Sequence, residues 1–214
     1  MLEAREQPKV ANRTVKRRQR TRAQILRAVE SLVLSNGYDD TSAEAIAELA
    51  DLGRSTFYNH FTNKQEAVLA TVSARFADYG QDVYVPVEQS PDRAVALATS
   101  AANLFKAVAR DPFTRALVER PRLLIQALID SQYDFMVKDV GEGIEQGRFK
   151  FVSNLEQTLT LLIWGLVGLL ASAIAKDSVD ASCRDWCRLL LLNVGIPAEE
   201  IEDIVTKTLS ETIA

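Results

Sequence analysis

Nine residues, Gly53 to Phe61, read GRSTFYNHF and gather a guanidinium (Arg54), two hydroxyls (Ser55, Thr56), a phenol (Tyr58), a carboxamide (Asn59) and the chain's one imidazole (His60). An arginine can bond guanine O6 and N7 together, an asparagine can do the same with adenine, and a threonine methyl fits the thymine methyl. Hydrolytic or metal chemistry would need more. No Ser or Cys nucleophile with an Asp orienter accompanies His60 in the sequence, and one histidine does not make a metal cluster. These residue types point to recognition of phosphates and base edges, with no catalytic residue, metal or cofactor expected.

The elements that must hold these groups are written around them. Residues 42–50, SAEAIAELA, predict one helix with Ile46 and Leu49 on its apolar face and Ala47 small enough for a close crossing. Residues 51–53 form a turn with Leu52 as its plug, and 54–60 a second helix whose Phe57, with Phe61 four residues on, faces inward. This is the layout of a helix-turn-helix, whose second helix enters the major groove while the first lies across the backbone. The preceding helix, near 21–36, buttresses it with a stripe of Ile25, Leu26, Val29, Leu32 and Val33 and a stop at Gly37.

The rest of the chain is also helical in pattern. Helices are predicted near 64–80, 91–110, 112–118, 121–146, 154–176, 181–194 and 197–212, with a loop over 81–89 that contains Pro86. Thr21–Gln24, Thr41–Glu44, Asn63–Glu66 and Ser153–Glu156 fit the capping box, and Ser90-Pro91 and Asp111-Pro112 fit a cap followed by proline. Overall charge is −4, but residues 1–64 carry 11 basic and 8 acidic side chains against 14 and 21 in the remainder. That asymmetry predicts a basic head on an acidic body. The segment Lys9–Arg22 holds seven basic residues and no acid. It suits phosphate neutralisation or entry into a minor groove, with a solubilising tail as the alternative. The uncharged run Gln157–Ala175 is read as a buried or subunit-interface helix in preference to a membrane span, because no basic cluster flanks it. Cys183 and Cys187 cannot build a disulfide framework and are read as small buried hydrophobes in a cytoplasmic protein without an N-terminal secretory signal.

From about Arg22 to Leu69 the sequence resembles the TetR (tetracycline-repressor-like) family of bacterial transcriptional regulators. The resemblance rests on Gly37, Thr41, Ile46-Ala47, the turn Ala50–Gly53, the run Thr56–Phe61 and Lys64. Asp51 stands where a glycine is usual, and Gly53 where a serine usually caps the recognition helix. The resemblance implies an all-α fold: an N-terminal three-helix helix-turn-helix domain and a larger C-terminal helical domain. Its parts would be a flexible basic arm (1–15), the DNA-binding domain (16–64) and an effector-binding, dimerising body (65–214). It implies phosphate contacts from Tyr58, His60 and Lys64, joined by the helix-start residues Thr21 and Thr41, with Arg54, Ser55, Thr56 and Asn59 facing the groove. An effector pocket is expected among Phe76, Tyr79, Asn103, Phe105, Leu124, Gln126, Leu128, Tyr133 and Trp164. A homodimer interface is expected from Leu162, Gly165, Leu169, Ser172, Cys183, Cys187, Leu190, Leu191 and Val194. The implied partners are an operator in double-stranded DNA, a small apolar or aromatic effector and a second copy, with no membrane. The alternative is an all-α small-molecule binding module or enzyme with a vestigial head.

Overall fold

Helix follows helix through the described residues, with no strand among them: α1 (Gln7–Asn36), α2 (Ala43–Leu49), α3 (Arg54–Tyr58), α4 (Lys64–Tyr84), α5 (Arg93–Arg110), α6 (Pro112–Ala116), α7 (Pro121–Glu145), α8 (Leu155–Ala175), α9 (Val179–Asn193) and α10 (Ala198–Glu211). The computed structural model describes residues 7–84, 90, 92–150 and 154–211. The first six residues of the expected arm, residues 85–89 of the expected loop, Pro91 and Ser153 lie outside them.

Most predicted boundaries fall within two residues of the observed ones, and the caps explain why. Asp111 accepts from the Thr114 N–H at 2.8 Å and Thr114 Oγ1 at 2.7 Å, with Pro112 opening α6. Asn63 accepts from the Glu66 N–H at 2.9 Å, and Glu66 returns to the Thr62 N–H at 2.6 Å. Three signals are displaced. Ser42, not Thr41, caps α2 by accepting from the Ala45 N–H at 3.0 Å. Asn154 caps α8, and Asp92 caps α5. Two expectations fail outright. Thr21 lies inside α1, which already begins at Gln7, so residues 7–15 are helical and not a free arm. α4 continues to Tyr84 through the first residues of the expected loop.

The chain divides into two compact units, Met1–Thr71 and Val72–Ala214, and the division falls inside α4. In the first, Ile25, Val29 and Val33 of α1 are buried with Ile46 and Ala47 of α2, Phe57 of α3, and Phe61 and Val68. Leu49, expected on the inner face of α2, is instead 52% exposed, and Ala50 takes the buried position.

The second unit is built on α5, which packs against α6, α7, α8, α9 and α10. Such a crowded helix needs small side chains, and Ala94, Ala98, Ala102 and Ala109 are fully buried along it. α9 faces it through two thiols, with Cys183 Sγ donating to the Ala102 carbonyl and Cys187 Sγ to the Ala98 carbonyl, each at 3.8 Å. Arg148, after α7, bridges Asp92 at 3.1 Å and Glu200 at 2.7 Å, joining the starts of α5 and α10. α8 is the one helix among the described residues long and apolar enough to cross a membrane. Its buried stripe (Leu159, Leu162, Ile163, Leu166, Leu170) belongs to the core of this unit.

Close packing fixes one glycine here and leaves another idle. Gly195 has φ +78, and a methyl group there would lie 2.0 Å from the Lys150 carbonyl oxygen. Gly141 sits inside α7 with open space around it. Gly195→Ala is expected to lower stability by about 2 kcal/mol or more, from strain plus collision. Gly141→Ala should raise it by about 0.5–1 kcal/mol through helix propensity. Urea unfolding midpoints that move in the same direction for both would contradict this placement.

Candidate functional site

α3 is short, and its neighbours set its orientation. The turn before it requires Asp51 to adopt φ +55, a left-handed conformation that Asp tolerates better than most residues. The Leu52 N–H then returns to the Ala47 carbonyl at 2.9 Å. Gly53 starts α3 in extended geometry with no side-chain cap. Phe57 is fully buried and Phe61 nearly so, their ring centroids 6.0 Å apart. With that pair inward, Arg54, Ser55, Tyr58 and Asn59 are exposed and Thr56 and His60 half-buried. The structure thus brings together the polar groups the sequence nominated on α3. Tyr58 is 49% exposed and leans edge-on to Phe57 at 5.4 Å. Arg54 is ion-paired with Glu44 of α2, so its guanidinium is already engaged by a carboxylate.

The basic segment joins this site as a helix. Arg22 lies 5.1 Å from the centre of the Phe61 ring. Partial burial, then the charges of Arg18 and Arg22, hold His60 below the usual histidine range. The imidazole is therefore neutral at pH 7 beside two guanidinium groups. The sequence reading treated these arginines as an arm; their spacing of four, one helical turn, was the signal that places both on one face.

Lys64 and Thr41 are engaged within the first unit. The Lys64 ammonium donates to the carbonyls of Tyr38 at 2.9 Å, Asp39 at 3.0 Å and Thr41 at 2.8 Å, and lies 4.6 Å from the Tyr38 ring centre. An ammonium has three donors, and all three have partners here. Lys64 thus secures the start of α4 to the connection after α1, and no N–H remains for a phosphate. Thr41 is buried, its hydroxyl donating to the Gly37 carbonyl at 2.7 Å. Thr21, half-buried within α1, caps no helix.

The second unit contains a narrow cavity between α5, α7, α8 and α9. The space open to the centre of a water molecule is about 50 Å³. Leu97, Leu104, Leu162 and Leu166 supply apolar wall, with Ser100, Asp139 and Trp186 among the remaining lining residues. Of the expected pocket residues only Leu128 lines it. Phe76, Phe105 and Leu124 are core, and Asn103 is buried beside the lining residues of α5. Tyr79 packs against Phe76 at 6.1 Å, Gln126 is exposed and bonded to Asp130, Tyr133 is half-buried, and Trp164 is 52% exposed. The signal overlooked was Ser100 in the stripe Leu97–Ser100–Ala101–Leu104, a polar residue on an otherwise apolar helical face.

The expected dimer residues also separate. Leu162, Cys183, Cys187, Leu190, Leu191 and Val194 are no more than 3% exposed within their own unit, so they do not form an outer surface. Gly165, Leu169 and Ser172 are half-buried. The large apolar groups facing outward on α8 and α9 are Leu161, Trp164, Leu189 and Leu192. The neighbouring Cys183 thiol, then burial, push Cys187 well above the usual thiol range, which keeps it protonated and unreactive.

Comparison with known proteins follows the same division. Residues 25–71 match the family model for bacterial regulatory proteins of the tetR family. The chain is 42% identical over 55 residues to the HTH-type transcriptional regulator TcmR of Streptomyces glaucescens, covering 26% of this chain and 24% of that protein. It is 40% identical over 65 residues to the HTH-type transcriptional regulator TtgR of Pseudomonas putida, covering 30% and 31%. These matches therefore span about a quarter to a third of the curated relatives. Likeness to solved structures is longer but fainter. RolR in complex with resorcinol superposes with TM-score 0.78 at 23% identity over 90% of this chain and 96% of that one. FadR of Bacillus subtilis with stearoyl-CoA gives 0.63 at 18% over 82% and 99%. At such identity these two establish the all-α fold with its N-terminal helix-turn-helix.

The ammonium-to-carbonyl anchor gives a stability test. Lys64→Met keeps most of the apolar stem of the side chain and removes three charge-assisted hydrogen bonds and a cation–π contact. It is expected to destabilise the full chain by about 1–3 kcal/mol in urea unfolding, discounted for its partial exposure. An unchanged midpoint would show that Lys64 does not secure α4.

Proposed function

We propose that this chain, which belongs through residues 25–71 to the bacterial regulatory proteins of the tetR family, is a homodimeric, ligand-responsive DNA-binding transcriptional regulator. In this reading it represses in its ligand-free form and releases a palindromic operator when a small apolar or aromatic effector occupies the second unit. The observation that carries the proposal is the exposed face of α3, Arg54, Ser55, Tyr58 and Asn59, fixed outward by buried Phe57 and Phe61. Arg54, Ser55, Thr56 and Asn59 read the groove, while Tyr58 and His60 meet phosphates with Arg18 and Arg22 beside them. Lys64 adds its charge to the local field and its bonds to the framework. The reading makes the chain a cytoplasmic binding protein and not an enzyme.

A second copy fits the apolar groups left outward on α8 and α9. Leu161 is 58% exposed, Trp164 52%, Leu189 45% and Leu192 51%, a cluster of side chains that soluble surfaces seldom leave bare. Two heads so joined enter successive major grooves only when they lie about one helical turn, roughly 34 Å, apart. An effector that binds better to a different spacing lowers DNA affinity by its differential binding to the two states. α4 is the natural connection, since one continuous helix carries Lys64 at its start and Phe76 further along. Buried Gln132 of α7 donates to the Phe76 carbonyl at 2.7 Å. Solved neighbours with resorcinol, stearoyl-CoA or triclosan bound make effector control a reasonable property to carry over to this fold.

Binding of the full chain to a palindromic duplex, followed by fluorescence anisotropy, should weaken steeply as salt rises. Tyr58→Ala should weaken all duplexes alike. Arg54→Ala and Asn59→Ala should relax preference at single base pairs by about 1–3 kcal/mol. Indifference to both salt and sequence would eliminate the regulator. For the dimer, Leu161→Arg and Leu192→Arg should each yield monomers in sedimentation velocity with helical circular dichroism retained. A persisting dimer would mean that another surface joins the copies.

A further inference from the structure

The cavity of the second unit has a chemical preference that its apolar walls alone do not explain. Ser100 is 4% exposed and Trp186 5%, both line the cavity, and Ser100 Oγ and Trp186 Nε1 have no hydrogen-bond partner among the described residues. Burying such groups unpaired is unfavourable, so two of them lining one cavity call for a partner that enters it. An indole N–H only donates and a serine hydroxyl does both. The third polar group is the carboxylate of Asp139, which accepts; the cation beside it, Arg93 at 3.8 Å, is shared with Glu142. Among the described residues, no lysine, arginine or histidine lines the cavity.

Size narrows the choice. A space of about 50 Å³ for water centres holds roughly three to five waters at 10–15 Å³ each. At about 30 Å³ of liquid per water that corresponds to roughly 100–150 Å³, and a hydrocarbon-lined cavity of about 150 Å³ accepts benzene. One aromatic ring fills it.

We infer that the cavity binds a neutral single-ring hydroxyaromatic compound with two oxygen functions, one accepting from Trp186 Nε1 and one donating to Asp139 or Ser100, with the ring between the leucines. This rests on the effector-responsive reading above and specifies its ligand. Carboxylates are disfavoured by the lining: they would face Asp139, and the neighbouring cation, Arg93, does not line the cavity and already pairs with both Asp139 and Glu142. Rings without oxygen are disfavoured because they leave Ser100 and Trp186 as unpaired as before.

The test is isothermal titration calorimetry of the full chain with resorcinol, toluene and benzoate as probes. Resorcinol is expected to bind at least about tenfold more tightly than either of the others, the scale of one or two net hydrogen bonds. Trp186→Phe should weaken resorcinol about tenfold without weakening toluene, and Ser100→Ala, a smaller change that spares the fold, should act in the same direction. Toluene or benzoate binding as tightly as resorcinol, or resorcinol affinity unchanged in both variants, would overturn the inference. Duplex binding by the same preparation keeps the two questions apart. Resorcinol binding without duplex binding would sustain the inference and overturn the regulator, whereas duplex binding without resorcinol binding would overturn the inference alone.

Discussion

A helix of five residues does not hold together in water by itself. Nucleation uses most of the hydrogen bonds it could offer, and isolated helices below about 12 residues are marginal even in favourable sequences. α3, Arg54–Tyr58, is that short and begins at a glycine with no side-chain cap. Its existence depends on burying Phe57 and Phe61 among the side chains of α1, α2 and the start of α4, and the rest of the first unit can be understood as serving that burial. Asp51 bends the backbone so that α3 can cross α2, Ala47 is small and buried, and Lys64 fastens the next helix to the carbonyls of residues 38, 39 and 41. The polar face of α3 costs little to present because the aromatic face has already fixed it.

The basic groups of the first unit differ in how much they can offer a polyanion. Lys64 has no donor left, and Arg54 is held by Glu44. Arg18 is exposed near His60, and Arg22 rests against the Phe61 ring with its guanidinium still at the surface. Under the proposed function, the exposed guanidinium groups of α1 would be free to meet a nucleic acid, whereas Arg54 would do so only by exchanging one charged partner for another. On that same reading, long-range attraction and base discrimination would reside in different residues, which is how phosphate and base contacts divide their labour generally.

The extent to which the sequence foretold this architecture follows from what a local pattern can encode. Helix ends were legible because caps are local: Asn63 with Glu66 and Asp111 with Pro112 act where the spacing placed them. Thr21 carried the same motif and caps nothing, because the residues before it are helix-compatible and α1 runs on through them. Thr41 and Ser42 were separable only by burial, which sends one hydroxyl to Gly37 and leaves the other for Ala45. The polar face of α3 was legible because Phe57 and Phe61 mark its opposite side. Nothing comparable marks α8, apolar almost all round, or the leucine-rich stripe of α9. Periodicity there cannot tell a core-facing side from one facing outward, and the apparent dimer stripe, from Cys183 to Val194, proved to be the core. The cavity escaped for a related reason: aromatic residues attract attention, but an unfilled space is defined by what α5, α7, α8 and α9 together fail to fill.

A cavity of this size also constrains any control exerted through it. Turning a two-state population from 1:99 to 99:1 takes about 5.5 kcal/mol of differential binding. The best small ligands gain at most about 1.5 kcal/mol per non-hydrogen atom, so one ring with two oxygens, about eight such atoms, has a ceiling near 12 kcal/mol. Nearly half of the greatest possible affinity would have to distinguish one state from the other. Uniform apolar contact cannot do that, so the discriminating contacts must lie on an element that moves. α7 is placed for it, because Leu128 and Met136 line the cavity while Gln132, between them, donates to the Phe76 carbonyl of α4. Gln132 is 1% exposed. A shift of α7 around a ligand therefore either carries α4 with it or strands a buried carboxamide at a penalty of about 1–3 kcal/mol. Under the proposed function, that penalty would couple the cavity to the turn of α4 around Phe76, within the second unit.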